Sequence, residues 1–236
     1  MVDGIRGWGA MAGFDAFVRR QAEALVAQFF APGNTAWIAV PDMGWLARRQ
    51  TLDGGRTEAL PGAEASEALV WRDEADQAEL WVAPEVKTTA GTGRYARHFK
   101  GFVSRFSQGS TQLDMDGLAV DHLYPETAAA RLGFSHVRVM AVDRRSNSLL
   151  GSTVEAAAAR TKTGAVRPRF ATYFTLAKVS GFQGSLAKRE ASGKVGRALI
   201  AHLRASGFAV PADAMVDPTL EAELTASSLD WYRGDR

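Results

Sequence analysis

Not one cysteine occurs in this chain of 236 residues. Disulfides and thiolate zinc sites are thereby excluded, and the fold must be held by burial and hydrogen bonding alone. Apolar residues make up 46% and charged residues 23%, an ordinary globular balance. The length suffices for one large domain or two small ones with a real hydrophobic core. Any metal must be held by oxygen and imidazole, which suits Mg, Mn, Ca or Zn. No apolar run reaches roughly 18 residues, so no membrane span is expected. Met1-Val2-Asp3-Gly4 carries no basic region leading into an apolar core. That predicts no export by the general secretory route and a cytoplasmic location.

Apolar spacing predicts a mixture of helices and short strands. Phe14, Phe17, Val18, Ala22, Leu25, Val26 and Phe29 recur at three- and four-residue intervals, predicting an amphipathic helix over about 13–30. Pro32-Gly33-Asn34 stops it. Ala36 to Val40 is a short buried strand candidate, and residues 51–67, rich in Gly, Glu and Ala, read as a loop. Leu69-Val70-Trp71 and Leu80-Trp81-Val82 are expected to pair across the acidic turn Asp73 to Asp76. Tyr95, Phe99, Phe102, Val103 and Phe106 form a second helical stripe after Gly91-Thr92-Gly93. These elements make residues 1–108 an α+β segment, with a boundary near Gln108-Gly109-Ser110. The second unit, 109–236, is expected to be mostly helical. Helices are predicted over about 170–181 and 185–206, the latter weakened by Gly193 and Gly196. An acidic last helix is predicted over about 218–232, entered through Asp217-Pro218.

Net charge is only +2, but it is unevenly spread. Residues 1–86 hold 7 bases and 13 acids, residues 87–204 hold 19 and 7, and residues 205–236 hold 2 and 6. A basic middle between acidic ends points to a polyanionic partner for the middle segment.

That segment also holds the residues with chemical content. Ala119-Val120-Asp121-His122 reads as a strand closing on an Asp-His pair, and Pro125 ends the extended run. His136 to Val142 alternates and is β-branched at 137, 139 and 142, so it reads as a second strand. Residues about 144–159 lead into an alanine-rich run and read as a helix carrying Asn147. The order is strand, loop, strand, helix. Adjacent strand residues point to opposite faces, so Asp121 and His122 can face one site only if the strand ends or twists there.

Over residues of about 113–155 this pattern resembles the HNH, or His-Me finger, nucleases. Their first motif is an Asp-His or His-His pair followed by proline, matched by Asp121-His122-Leu123-Tyr124-Pro125. Their last motif is an Asn or His on the helix, matched by Asn147 with Gly151 four residues on. The resemblance implies a ββα-metal finger embedded in the helical second unit. It also implies His122 as the general base that activates water, and Mg2+ or Mn2+ held by Asp121 and Asn147. Such chemistry answers the needs of phosphodiester hydrolysis: an activated water, and a cation beside the developing charge.

The match has departures. The family's middle Asn falls, by spacing, on Arg138; His136 is the candidate auxiliary catalytic residue, with Ser135 beside it. The CxxC pairs that staple many such fingers are absent, so flanking elements must hold this one. Arg144, Arg145, Arg160, Lys162, Arg167 and Arg169 are the candidate nucleic-acid contacts. From residue 160 to 204 ten bases face one acid, Glu190, a pattern suited to neutralising phosphates. A second constellation, Pro41-Asp42 with Glu85-Val86-Lys87, loosely resembles the PD-(D/E)xK pattern, a short motif that arises often by chance.

The expectation is an endonuclease acting on DNA, with RNA left open, in defence against foreign DNA or in plasmid and phage DNA processing. A nuclease toxin is an alternative expectation; such a domain normally ends a longer delivery protein, so a chain opening on Met1 tilts the reading toward defence or DNA processing. The competing expectations are a non-catalytic nucleic-acid-binding protein, and a scaffold that binds a protein partner through the acidic N-terminal segment. A lone finger cuts one strand, so duplex cleavage would call for a homodimer or two nicks.

Overall fold

The computed structural model describes residues 13–84, 94–107, 115–150, 166–183 and 192–214. The first apolar stripe is helical: α1 (Gly13–Phe30) buries Phe17, Val18, Ala22, Leu25 and Val26. β1 (Trp37–Val40) follows, buried throughout. The stretch expected as a loop over 51–67 is more regular than its composition. It begins inside helix α2 (Met43–Asp53) and contains strand β2 (Arg56–Ala59). β2 is largely exposed and takes its place by pairing with β3, so no apolar alternation marks it.

β3 (Ala68–Arg72) and β4 (Ala78–Val82) form the expected hairpin, with Leu69 opposite Trp81. α3 (Arg94–Phe106) buries Phe99, Phe102 and Val103. β5 (Leu118–His122) and β6 (His136–Asp143) are the two expected strands of the motif region. Their connection holds a short helix, α4 (Glu126–Leu132), which ends at Gly133 in the left-handed conformation at φ 84°. β7 (Arg169–Phe170), α5 (Tyr173–Ser180) and α6 (Ser192–Ala205) complete the described elements. Residues 144–150 are helical. The remainder of the helix expected to 159, and the last helix over 218–232, lie outside the described residues.

Among the described residues the strands form one seven-stranded sheet, ordered β2-β3-β4-β6-β1-β7, with β5 also on β6. Every pairing is antiparallel. β6 takes β4 along one edge. Along the other it takes β1 at residues 136–137 and β5 at residues 139–143. The expected division near residue 108 therefore does not divide the sheet, because β1 and β4 both pair with β6 across it.

β6 is buried on both faces for seven of its eight residues. One core lies under α1, α4, α5 and α6, a second under α3, and a third gathers Trp37, Trp71 and Trp81 beside Leu46 of α2. No helix among the described residues is long and apolar enough to cross a membrane.

Candidate functional site

The register of β5 on β6 sets Leu118 opposite Asp143, Asp121 opposite Met140 and His122 opposite Val139. Alternation then decides what each side chain meets. Leu118 and Val120 pack on the core beneath α3, and His122 joins them. Its ring lies against Tyr95 of α3, with centroids 4.5 Å apart. Asp121 takes the opposite face, where its carboxylate forms an ion pair with Lys178 of α5. The same ammonium donates to the His122 carbonyl at 3.2 Å. Pairing runs past the strand end, since the Leu123 N–H donates to the Arg138 carbonyl. β5 thus ends at the Asp-His pair, yet its pairing continues one residue further and the two side chains are turned to opposite faces.

His122 is 5% exposed. Burial pushes its imidazole down to about 4; Asp121 opposes that shift and Lys178 adds to it. The ring is therefore neutral at pH 7, but as buried it is a weaker base than an ordinary imidazole. Its Nε2 is buried without a hydrogen-bond partner, an unmet polar atom of the kind folded proteins seldom leave.

Asn147 is half-buried on the helical segment 144–150. The Asp143 carboxylate caps that segment, accepting from the Ser146 N–H at 2.7 Å. The Ser146 hydroxyl donates to the Phe182 carbonyl at 3.0 Å, and Leu150 buries in the core that α5 covers. Asp121 and this segment therefore share one side of the sheet. Three strand residues, about 10 Å, separate the Asp121 position from the Leu118–Asp143 pair where the segment begins.

Asp121 and Asn147 suit a hard divalent ion in kind, one as a carboxylate and one as a neutral amide oxygen. Lys178 engages Asp121 Oδ2, which leaves Oδ1 for a cation. Among the described residues no three His, Cys, Asp or Glu side chains converge. An ion held here would keep water or phosphate oxygens as most of its shell, which Mg2+ accepts readily.

The other candidates have different surroundings. His136 is buried at the far end of β6 from Asp143. Its Nδ1 lies 3.1 Å from Ser135 Oγ and its Nε2 3.1 Å from the Ala65 carbonyl. Both ring nitrogens are thus engaged, and burial holds its pKa below the ordinary value despite the Ala65 bond. Arg138, at the middle motif position, is an interior cation. It pairs with Glu79 at 3.2 Å and donates to Gln28 Oε1 at 2.8 Å.

Arg144 is exposed, yet its guanidinium clamps the Leu118 carbonyl at 3.2 and 2.9 Å. Arg145 is exposed and Arg167 half-buried. Arg169 is 8% exposed on β7, its guanidinium 5.6 Å from the Phe134 ring centre, so burial keeps it from a phosphate contact. Arg160 and Lys162 lie outside the described residues, as does Glu85-Val86-Lys87. Asp42 is exposed at the start of α2.

Lys178 and Tyr95 are the two neighbours that sequence reasoning missed. Lys178 counts in the sequence as one of ten bases, and nothing local singles it out as the partner of Asp121. Tyr95 reads as one member of a helical stripe. No protein-family model matches the chain, and no curated protein or solved structure matches it either.

Proposed function

We propose that this chain is a metal-dependent endonuclease that hydrolyses phosphodiester bonds of DNA, with His122 as its general base. The observation that carries the reading is the antiparallel β5–β6 pair, closing on Asp121-His122 and running into the helical segment that bears Asn147. The unpartnered Nε2 of His122 favours the same role.

In this reading His122 Nε2 takes the proton of the attacking water as its oxygen bonds to phosphorus. The bond from phosphorus to the leaving oxygen then breaks. Asp121 and Asn147 would hold Mg2+ or Mn2+, which when bound supplies positive charge beside the scissile phosphate. Reaching the phosphate requires the His122 ring to leave Tyr95 and turn past the end of β5. Among the candidate contacts named from the sequence, exposed Arg145 and half-buried Arg167 would steady the flanking phosphates.

The test incubates the purified protein with plasmid and with RNA, in Mg2+, Mn2+, Ca2+ or chelator, beside His122→Ala. Metal-dependent cleavage that falls about 10²- to 10⁴-fold in the variant is expected. Cleavage at the wild-type rate in His122→Ala would remove His122 from the mechanism.

A second reading is a nucleic-acid-binding protein that does not cut. The opposite facing of Asp121 and His122, each with a protein partner, favours it. It predicts DNA binding with no cleavage under any metal.

A further inference from the structure

A pocket of about 160 Å³ lies on the α3 side of the sheet, among α1, the β3–β4 turn and the C-terminal end of α3. Arg20 of α1, Arg72 of β3 and Arg105 of α3 line it, together with Gln21, Asp76 and Phe106. The charges do not balance. Arg72 pairs with Glu58 at 3.1 Å and with Asp76 at 2.5 Å, and Arg56 pairs with the same two carboxylates at 2.9 and 3.5 Å. Those four groups neutralise one another. Arg20 and Arg105 remain, and no ion pair to either is found among the described residues.

The arrangement is fixed rather than a loose surface. The Arg72 and Arg105 guanidiniums lie 5.4 and 5.5 Å from the centre of the Phe106 ring, a geometry that holds cations in place. Gln21 is 4% exposed, and its amide nitrogen donates to the Ala78 carbonyl at 2.8 Å, which fixes its side chain at the pocket wall. Part of the Arg105 charge answers the dipole at the end of α3. Arg20 stands inside α1 and has no such demand on it.

We infer that this pocket binds a phosphate group, and that the phosphate belongs to the backbone of a bound nucleic acid. Size decides between a phosphate and a larger ligand. Small-molecule pockets run from about 300 Å³ upward, whereas this volume matches about five waters at ~30 Å³ each. It admits a phosphate and leaves the sugar and base outside. The inference rests on the nuclease reading for one point only, the spacing to the reaction centre. Tyr95, which touches His122, and Phe106 are 11 residues apart on α3, about 16 Å at 1.5 Å per residue. For a duplex whose axis runs parallel to α3, an axial rise of ~3.4 Å per phosphate on one strand would put the pocket about five phosphates from the cutting position.

The experiment compares wild type with Arg20→Gln/Arg105→Gln and with the single variant Arg105→Ala, after thermal unfolding shows them folded. Binding of a labelled DNA duplex is followed by anisotropy across a salt series without divalent metal. Inorganic phosphate and a nucleoside monophosphate are titrated by calorimetry. The expected result is a roughly three- to tenfold weaker duplex affinity in the double variant, with a salt slope shallower by about 0.9 for each phosphate that the protein no longer neutralises. The single variant should show a smaller decrease in the same direction. Phosphate or mononucleotide binding that disappears in the double variant while duplex binding holds would keep the phosphate site and overturn its nucleic-acid source. Unchanged affinity and slope, with no binding of either small anion, would overturn the site. Because binding alone is read, absence of cleavage would count against the nuclease reading and leave this result standing.

Discussion

Glu79 shows how much one residue can carry. Arg49 and Arg138, 2% and 1% exposed, share its carboxylate, which is itself 3% exposed. Arg49 binds it with two hydrogen bonds, at 2.6 and 3.0 Å. Burial pushes the carboxyl up, but the Coulomb attraction of Arg138 and Arg49 outweighs it and holds the pKa at about 2. Glu79→Gln leaves two interior cations without a countercharge, so a loss of roughly 3–5 kcal/mol is expected, read as a lower urea midpoint. The pH sign follows from the direction of the shift. A carboxyl held at about 2 against an ordinary 4.5 stabilises the fold fully above pH 4.5, and that stability is lost as pH falls toward 2. Urea midpoints measured from pH 6 to pH 3 should fall, and the fall should shrink in Glu79→Gln.

Between elements, the decisive contact is α5 against β5. Thr172 caps α5, its hydroxyl accepting from the Thr175 N–H and the Thr175 hydroxyl answering the Thr172 N–H. The helix so fixed brings Lys178 to Asp121, with side-chain exposures of 13% and 26%. Under the nuclease reading the ammonium competes with a metal for that carboxylate. Lys178→Met should therefore tighten Mn2+ binding about two- to fivefold, equivalent to roughly 0.4–1 kcal/mol for a partly screened pair. Calorimetric titration with Mn2+ checks this, and an unchanged dissociation constant would mean that Asp121 is not a metal ligand. The elements legible in the sequence were those with an apolar stripe or a short apolar run: α1, β1, the β3–β4 hairpin, α3, β5, β6, α5 and α6. α2 and β2 were hidden because Leu52 and most of β2 face solvent. α4 was hidden because seven residues give too short a stripe.

For the whole molecule, the sheet is the unit. β6 has β4 on one edge and β1 and β5 on the other, so the motif region completes its strand pairing only with strands from the first 84 residues. A fragment spanning 109–236 lacks those strands and exposes Val137 and Val139, both fully buried in the intact chain. It should show no cooperative urea transition and little near-ultraviolet circular dichroism. A cooperative transition in that fragment would show that the second unit folds alone. The absence of cysteine is consistent with this dependence, because a small unit without covalent staples leans on its neighbours.

The sequence by itself determined the mixture of helices and strands, the Asp-His pair at the end of a strand, and Asn147 beyond the next one. Each follows from local periodicity and composition. Only the tertiary structure decided what these side chains meet. Alternation turned Asp121 and His122 apart, and pairing with β6 that continues to Leu123 kept them so although β5 ends at His122. Lys178 is 57 residues from Asp121 and Tyr95 is 27 residues from His122, and no local signal links either pair. The absence of cysteine fixed only the means of holding the fold together. Which neighbours supply it was decided by long-range pairing, and they proved to be β1, β4 and α3 from the first half of the chain.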